Sequence, residues 1–130
     1  NEKNSKLYSE SEMKVKSLEL FISLTNDSLG ENAEQNIENR FLLAEINYIN
    51  LERIDDAISK YKSIADSFPK SVYAPKSMFA LSYIYLREKN DSSLSCRYLK
   101  NIIKDYPNTE YSALADDRLK EMRFVCDTLR

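Results

Sequence analysis

The chain has few of the residues on which catalytic sites depend. Its 130 residues include no histidine and no tryptophan, one glycine, three prolines and two cysteines. Without histidine, the chain has no Ser-His or Cys-His nucleophile pair and no histidine-ligated metal site. Phosphate-binding loops and dinucleotide fingerprints need several glycines, and Gly30 stands alone. The sequence therefore predicts a protein that is not an enzyme and binds no cofactor or metal.

Paired carboxylates are the remaining route to acid–base or metal chemistry. Asp55-Asp56 and Asp116-Asp117 are such pairs, but adjacent residues on a helix point about 100° apart. Acidic residues at a helix start also favour the helix dipole. We interpret both pairs as solvated surface charge.

The charge balance is close to even. With 19 basic and 21 acidic residues, the chain has no electrostatic reason to bind nucleic acid. Its longest apolar runs, such as 41–44 and 78–81, are far short of the roughly 20 residues of a membrane span. Because the first residue is Asn1 rather than methionine, we expect a fragment of a longer chain, with any signal peptide or lipid anchor outside it.

The scarcity of glycine and proline also bears on the fold class. A β-sheet protein needs glycine and proline in its turns, and this chain has few of either. Strict alternation of apolar and polar residues, which indicates a strand, is never sustained. The sequence therefore predicts an all-α fold in a single domain over residues 1–130. Six amphipathic segments are expected, at about 6–26, 33–51, 54–67, 72–88, 92–106 and 109–129.

One seven-residue pattern occurs twice in the sequence. Residues 68–74 contain an aromatic residue, a proline, a polar residue, a hydroxyl residue, a free position, a tyrosine and a small residue, and residues 106–112 repeat the order thirty-eight positions later. A period of this size is typical of stacked helical hairpins. We therefore expect a right-handed solenoid of about six helices, with Ser71 capping one of them.

The second and fourth predicted helices each carry two apolar stripes. One stripe of each helix suffices to pack a hairpin, which leaves a second stripe for a neighbouring helix or for a groove. The second stripes, with Arg87 among the polar residues at their rim, predict a partner-binding groove. Its candidate residues are Leu42, Ile46, Ile49, Phe79, Tyr83, Leu86 and Arg87.

The repeated helical units of the chain resemble those of the tetratricopeptide-repeat family. Phe41, Ala44, Tyr48, Ala57, Tyr61 and Pro69 match one unit of that family, and Leu81, Ser82, Tyr85, Ser95 and Pro107 match a second, more divergent unit. Glu45 departs from the pattern, since the family prefers a small residue there, and closeness of packing at that point is in doubt. The resemblance implies a protein–protein interaction scaffold whose concave groove binds a peptide or an extended partner segment.

The repeated junction has a narrower likeness. It is similar to the bacterial cell-envelope branch of the family, the outer-membrane assembly lipoproteins and the Tol–Pal-associated coordinator of cell division. That likeness implies a periplasmic or outer-membrane-associated adaptor, with a cytoplasmic location as the alternative. The rival function is a purely structural segment of a longer helical-repeat protein, and an enzyme would require chemistry from parts outside this sequence.

The two cysteines allow two interpretations. Cys96 and Cys126 are too few for a zinc site. In the expected solenoid they lie at the same end of the stack, so a disulfide is conceivable and would suit an oxidising compartment. Of the two interpretations we favour separate thiols packed as small apolar groups.

Overall fold

The structure is a computed structural model that describes residues 12, 14–22 and 33–127. Residues 14–22 are helical and are called α1 here. The helices that follow are α2 (Ala33–Glu45), a π-helix (Ile46–Asn50), α3 (Ile54–Ser67), α4 (Tyr73–Arg87), α5 (Ser92–Asp105), α6 (Glu110–Glu121) and α7 (Arg123–Cys126). Over these ranges there is no strand, and the predicted all-α class is confirmed. Gly30, the only glycine of the sequence, predicts a turn at 26–30. That turn and both ends of the first predicted helix lie outside the described residues.

The chain divides into two compact units, residues 1–60 and 61–130, with the boundary inside α3. We call them the first unit and the second unit. That residues 1–130 form a single domain stays a prediction.

In the first unit, α2 buries the face that its apolar spacing predicts. Ile37, Phe41 and Ala44 follow one another at steps of four and three, which predicts a shared face, and all three are buried. Leu43 is buried as well. The prediction of one regular helix to Leu51 is wrong, because the chain widens into a π-helix directly after Glu45. The hydrogen bonds of this turn span five residues instead of four. An example is the bond that Leu51 N–H donates to the Ile46 carbonyl at 3.0 Å.

The sequence places Met13, Ser17, Leu20, Phe21 and Leu24 on one face of the first predicted helix. The prediction that this face points inward is only partly correct. Phe21 is half-buried, and the Lys60 ammonium lies 6.0 Å from its ring centre. Leu20, predicted to point inward, is 51% exposed. Two other members of that face, Met13 and Leu24, lie outside the described residues. The helix has apolar residues around most of its circumference, so periodicity alone does not identify the buried side.

In the second unit, α5 packs against both α4 and α6. The core residues of this unit are Met78 on α4, Leu99 and Ile102 on α5, and Ala115 on α6. Each lies on the stripe of its helix whose apolar spacing predicts an inward face: Met78 with Leu81 on α4, Leu99 with Ile102 on α5, and Ala115 with Leu119 on α6. The predicted inner faces of α4, α5 and α6 are therefore confirmed.

Side-chain caps fix where these helices begin. The Asp91 carboxylate accepts from Leu94 N–H at 3.0 Å, and the Thr109 hydroxyl oxygen accepts from Ser112 N–H at 3.2 Å. The N-cap of α4 is Val72, which makes no side-chain cap bond, so Ser71 lies one residue before the predicted capping position. Its hydroxyl oxygen still accepts from Tyr73 N–H at 3.1 Å and satisfies a free donor at the helix start.

The repeated junction makes a hydrogen bond from one copy to the other. The Tyr106 hydroxyl group, from the aromatic position of the second copy, donates to the Pro69 carbonyl of the first copy at 2.7 Å. A proline carbonyl remains available because proline lacks only the N–H group. The same sequence pattern thus ends two helices and ties their ends together.

The two turns that precede α3 and α5 share an unusual backbone geometry. Glu52 and Asn90 both have positive φ, at 55° and 52°. The residue after each donates its N–H to a carbonyl six residues back, Arg53 to Asn47 at 2.7 Å and Asp91 to Tyr85 at 2.9 Å. The repeat therefore extends to the backbone of the turns.

This geometry leads to a prediction about Glu52. The left-handed conformation costs an ordinary residue about 1–2 kcal/mol, whereas glycine adopts it freely and asparagine tolerates it. We expect Glu52→Gly to stabilise the protein by about 0.5–1 kcal/mol and Asn90→Ala to destabilise it, measured as free energies of unfolding in urea. The control Glu121→Gly, in an exposed α6 helix turn, should lower stability. Lower stability of Glu52→Gly would contradict the assigned turn geometry.

The C-terminal part differs from the single helix predicted for about 109–129. The α6 helix ends at Glu121, Met122 leaves helical geometry, and α7 follows. Cys126 on α7 forms a disulfide with Cys96 on α5, and their α-carbons are 5.7 Å apart. The break brings Cys126 within bonding distance of α5, so our preference for two separate thiols is wrong.

We expect three half-buried tyrosines to make the free energy of unfolding decrease as the pH rises into the alkaline range. Burial is the main cause that raises the pKa values of Tyr98, Tyr106 and Tyr111. A raised folded-state pKa means that their stabilisation is present below the unfolded pKa of about 10 and is lost as pH rises through the folded values. We expect the urea midpoint to fall above pH about 10 and Tyr98→Phe to reduce that fall. An unchanged midpoint as tyrosinate absorbance rises would contradict this.

A candidate protein-binding surface

The predicted groove residues of α4 lie around one shallow pocket. Phe79 and Leu86 are half-buried, while Tyr83 is 38% exposed. Phe79 also packs against the core of the second unit. Arg87, in the last turn of α4, is exposed. The surface thus combines an apolar base with an exposed aromatic ring and a cation.

Three residues that sequence reasoning missed complete this pocket. They are Ser82 on α4, Ser95 on α5 and Arg118 on α6, which line it together with Phe79, Tyr83 and Leu86. We call these six residues and Arg87 the α4–α6 surface. Ser82 and Ser95 matched the family pattern only as small residues, and Arg118 lies on a helix whose sequence is mostly polar.

The size of the pocket limits what it can hold. Its cavity volume is about 10 Å³, close to the space that one water molecule needs. Pockets for small-molecule ligands enclose about 300–1,000 Å³. The surface can support a ligand that lies across it, but it cannot enclose a substrate or a cofactor.

The polar groups at the pocket floor are already bonded within the protein. The Ser95 hydroxyl group donates to the Ser82 carbonyl at 2.7 Å, and the Ser82 hydroxyl group donates to the Phe79 carbonyl at 2.7 Å. The first of these bonds also connects α4 to α5. Because both hydroxyl protons are engaged, polar recognition at this surface depends on the residues at its rim.

Two guanidinium groups form that rim. The Arg87 guanidinium lies 5.6 Å from the centre of the Tyr83 ring, a cation–π contact that holds the charge beside the aromatic face. Arg118 Nε is 3.7 Å from a carboxylate oxygen of Glu121. The Glu121 side chain is 71% exposed, so this ion pair contributes little and is readily exchanged for another carboxylate.

The candidate residues of the first unit differ in exposure. Ile49 is 67% exposed, whereas Ile46 is only 7% exposed, and Leu42 is half-buried. Ile46 as placed here contributes to packing and presents little surface to a partner. That the two sets of candidate residues form one groove stays a prediction.

Metal-ligating side chains are not gathered in the described part of the chain. Within those ranges, no group of three or more His, Cys, Asp or Glu side chains is arranged to hold a metal ion. Among the helices described, none is long and apolar enough to cross a membrane.

The repeat is also recognised by comparison with known families. A profile described as tetratricopeptide repeat matches residues 38–71 and 76–109. The second match starts thirty-eight residues after the first, which is the spacing of the repeated junction. Curated individual proteins and solved structures give no match. The two matched segments cover more than half of the sequence, and the chain belongs to the tetratricopeptide-repeat family.

Proposed function

We propose that this protein is a non-catalytic scaffold that binds an extended segment of a partner protein across the α4–α6 surface. The family supports the general kind of function, since tetratricopeptide repeats generally mediate protein–protein interactions. The observation that carries the proposal is the exposed Tyr83 ring beside half-buried Phe79 and Leu86, over a floor with no free hydroxyl proton. Such a surface gives an apolar contact bordered by polar groups, as protein interfaces do.

The shape of the surface favours a polypeptide over a small molecule. A pocket of about 10 Å³ cannot desolvate most of a small ligand, as binding of such a ligand requires. An extended segment gains affinity by spreading contacts over several shallow positions. Aromatic and arginine side chains are common among the residues that dominate such interfaces.

We also propose that the protein works in the bacterial cell envelope. The likeness of the repeated junction to the envelope branch suggests it, and the Cys96–Cys126 disulfide supports it, because structural disulfides persist in oxidising compartments and are rare in the cytosol. Fractionation of the producing cells tests the location. We expect the protein in the periplasmic or membrane fraction, with Cys96 and Cys126 joined and resistant to alkylation. Recovery in the cytosol with both thiols alkylated would contradict the proposed location.

The binding test must separate loss of contact from loss of folding. Phe79 packs against the core, so Phe79→Ala would affect both. Tyr83→Ala is the better variant because Tyr83 is more exposed, and Phe124→Ala is its matched control, since Phe124 is an aromatic residue on α7 that is 78% exposed.

The measurement has two steps. A partner captured by the wild-type protein is identified and purified, and its Kd is then measured for wild type, Tyr83→Ala and Phe124→Ala. We expect Tyr83→Ala to weaken binding by about thirtyfold, or ~2 kcal/mol, with an unchanged melting curve, and Phe124→Ala to bind like wild type. If no variant changes the Kd, or no partner is found, the rival interpretation as a purely structural segment gains.

A further inference from the structure

The rim of the α4–α6 surface carries cations on two different helices. Arg87 ends α4, and Arg118 lies in the last turn of α6. Both border the same apolar pocket, Arg118 directly and Arg87 through its contact with the Tyr83 ring. Two positive groups beside one apolar patch define a charge pattern that a partner must complement.

Neither guanidinium is neutralised in a way that resists exchange. Arg87 makes a cation–π contact with Tyr83, which leaves the outward N–H donors of its planar fork available to a carboxylate. The carboxylate on Arg118 comes from Glu121, at 3.7 Å and with both side chains partly exposed. A carboxylate that approaches Arg118 in bidentate geometry makes stronger hydrogen bonds than this pair.

We infer that the partner segment is acidic: it presents an apolar side chain to Phe79 and Leu86 and places aspartate or glutamate side chains against Arg87 and Arg118. This inference rests on the proposed function, since it specifies the chemistry of the segment that the surface binds. The net charge of the chain is −2, so attraction depends on these local cations and should weaken as salt rises.

Selection from a phage-displayed library of random dodecapeptides tests the inference without a known partner. The bait is the full chain, and selected peptides are synthesised with blocked ends so that side-chain carboxylates alone can act. We expect the selected peptides to contain aspartate or glutamate within a few residues of a leucine or aromatic residue. Versions with lysine in place of those acids should bind at least about tenfold more weakly, or ~1.4 kcal/mol.

Charge reversal on the protein complements the lysine substitutions in the peptides. Arg87→Glu with Arg118→Glu should weaken the selected acidic peptides at least about tenfold, again ~1.4 kcal/mol, and strengthen the lysine versions. The control is Arg97→Glu, because Arg97 is an exposed α5 residue that does not line the pocket. Melting curves of all variants are recorded, so that a change in binding is separated from a loss of folding.

The outcomes distinguish this inference from the proposed function. Selected peptides without acidic residues, insensitive to Arg87→Glu with Arg118→Glu but weakened by Tyr83→Ala, overturn the acidic segment and leave the scaffold function intact. Peptides that bind wild type and Tyr83→Ala equally well overturn both. A selection that returns no peptide also overturns both.

Discussion

Breaking the Cys96–Cys126 disulfide is expected to lower the free energy of unfolding by about 3–4 kcal/mol in the chain-entropy model. The bond joins residues separated by 30 positions and so restricts a long loop in the unfolded chain. Its half-cystines are 3% and 2% exposed, which protects the bond from reductants in the folded state. The disulfide therefore acts as a structural brace that holds α7 against α5.

The comparison needs no mutation, since oxidised and phosphine-reduced wild-type protein can be unfolded in parallel in urea. Intact mass gives the redox state, because the oxidised form is lighter by two hydrogen atoms. Alanine at both cysteines should reproduce the reduced form. Equal stability of the oxidised and reduced proteins, or two freely alkylated thiols after oxidative refolding, would contradict the assigned bond.

Truncation of Leu99 to alanine is expected to destabilise the protein by about 2–5 kcal/mol. Leu99 has 0% exposure and belongs to the core of the second unit, where it meets Met78 of α4 and Ala115 of α6. Alanine would remove the transfer free energy of the lost atoms and leave a cavity between helices that cannot fully collapse.

The matched control is Leu114→Ala, which makes the same chemical change on α6 at a position that is 45% exposed. Urea unfolding curves of both variants are compared with that of wild type. Leu114→Ala should change stability by less than about 0.5–1 kcal/mol, as surface substitutions do. Similar losses for the two variants would mean that α5 is not the central helix of this unit.

The sequence predicted the features that depend on local chemistry. The repeated aromatic-proline junction indicated the period, and helix bounds such as Ile54–Ser67 follow from apolar spacing and from the proline that comes after the helix. The inner stripe of α5 was predictable because its apolar residues recur at helical spacing on one face. Proline and capping side chains act on residues only a few positions away, so their effects can be predicted from the sequence.

Features that depend on three-dimensional packing were missed. The break at Met122 and the Cys96–Cys126 bond depend on where α7 packs, which no periodicity reports. Arg118 enters the pocket of α4 from α6, across a sequence distance of more than thirty residues. A polar residue on a mostly polar helix gives no signal in the sequence that it lines a binding surface.

Asn47 marks a place where sequence and structure conflict. It lies in the π-helix after Glu45 and is 1% exposed, although its position was expected to belong to neither apolar stripe. Its side-chain amide has no hydrogen-bond partner among the described residues. Burial of an unbonded amide is unfavourable, and the sequence gives no local reason for it.

Backbone-amide NMR titration with a selected peptide tests whether a partner segment binds across the α4–α6 surface. We expect chemical-shift changes to concentrate at Phe79, Tyr83, Leu86, Arg87 and Arg118, and Tyr83→Ala to remove them at equal peptide concentration. Changes confined to α1 or to the exposed Phe124 and Val125 of α7, with these five residues unaffected, would contradict it.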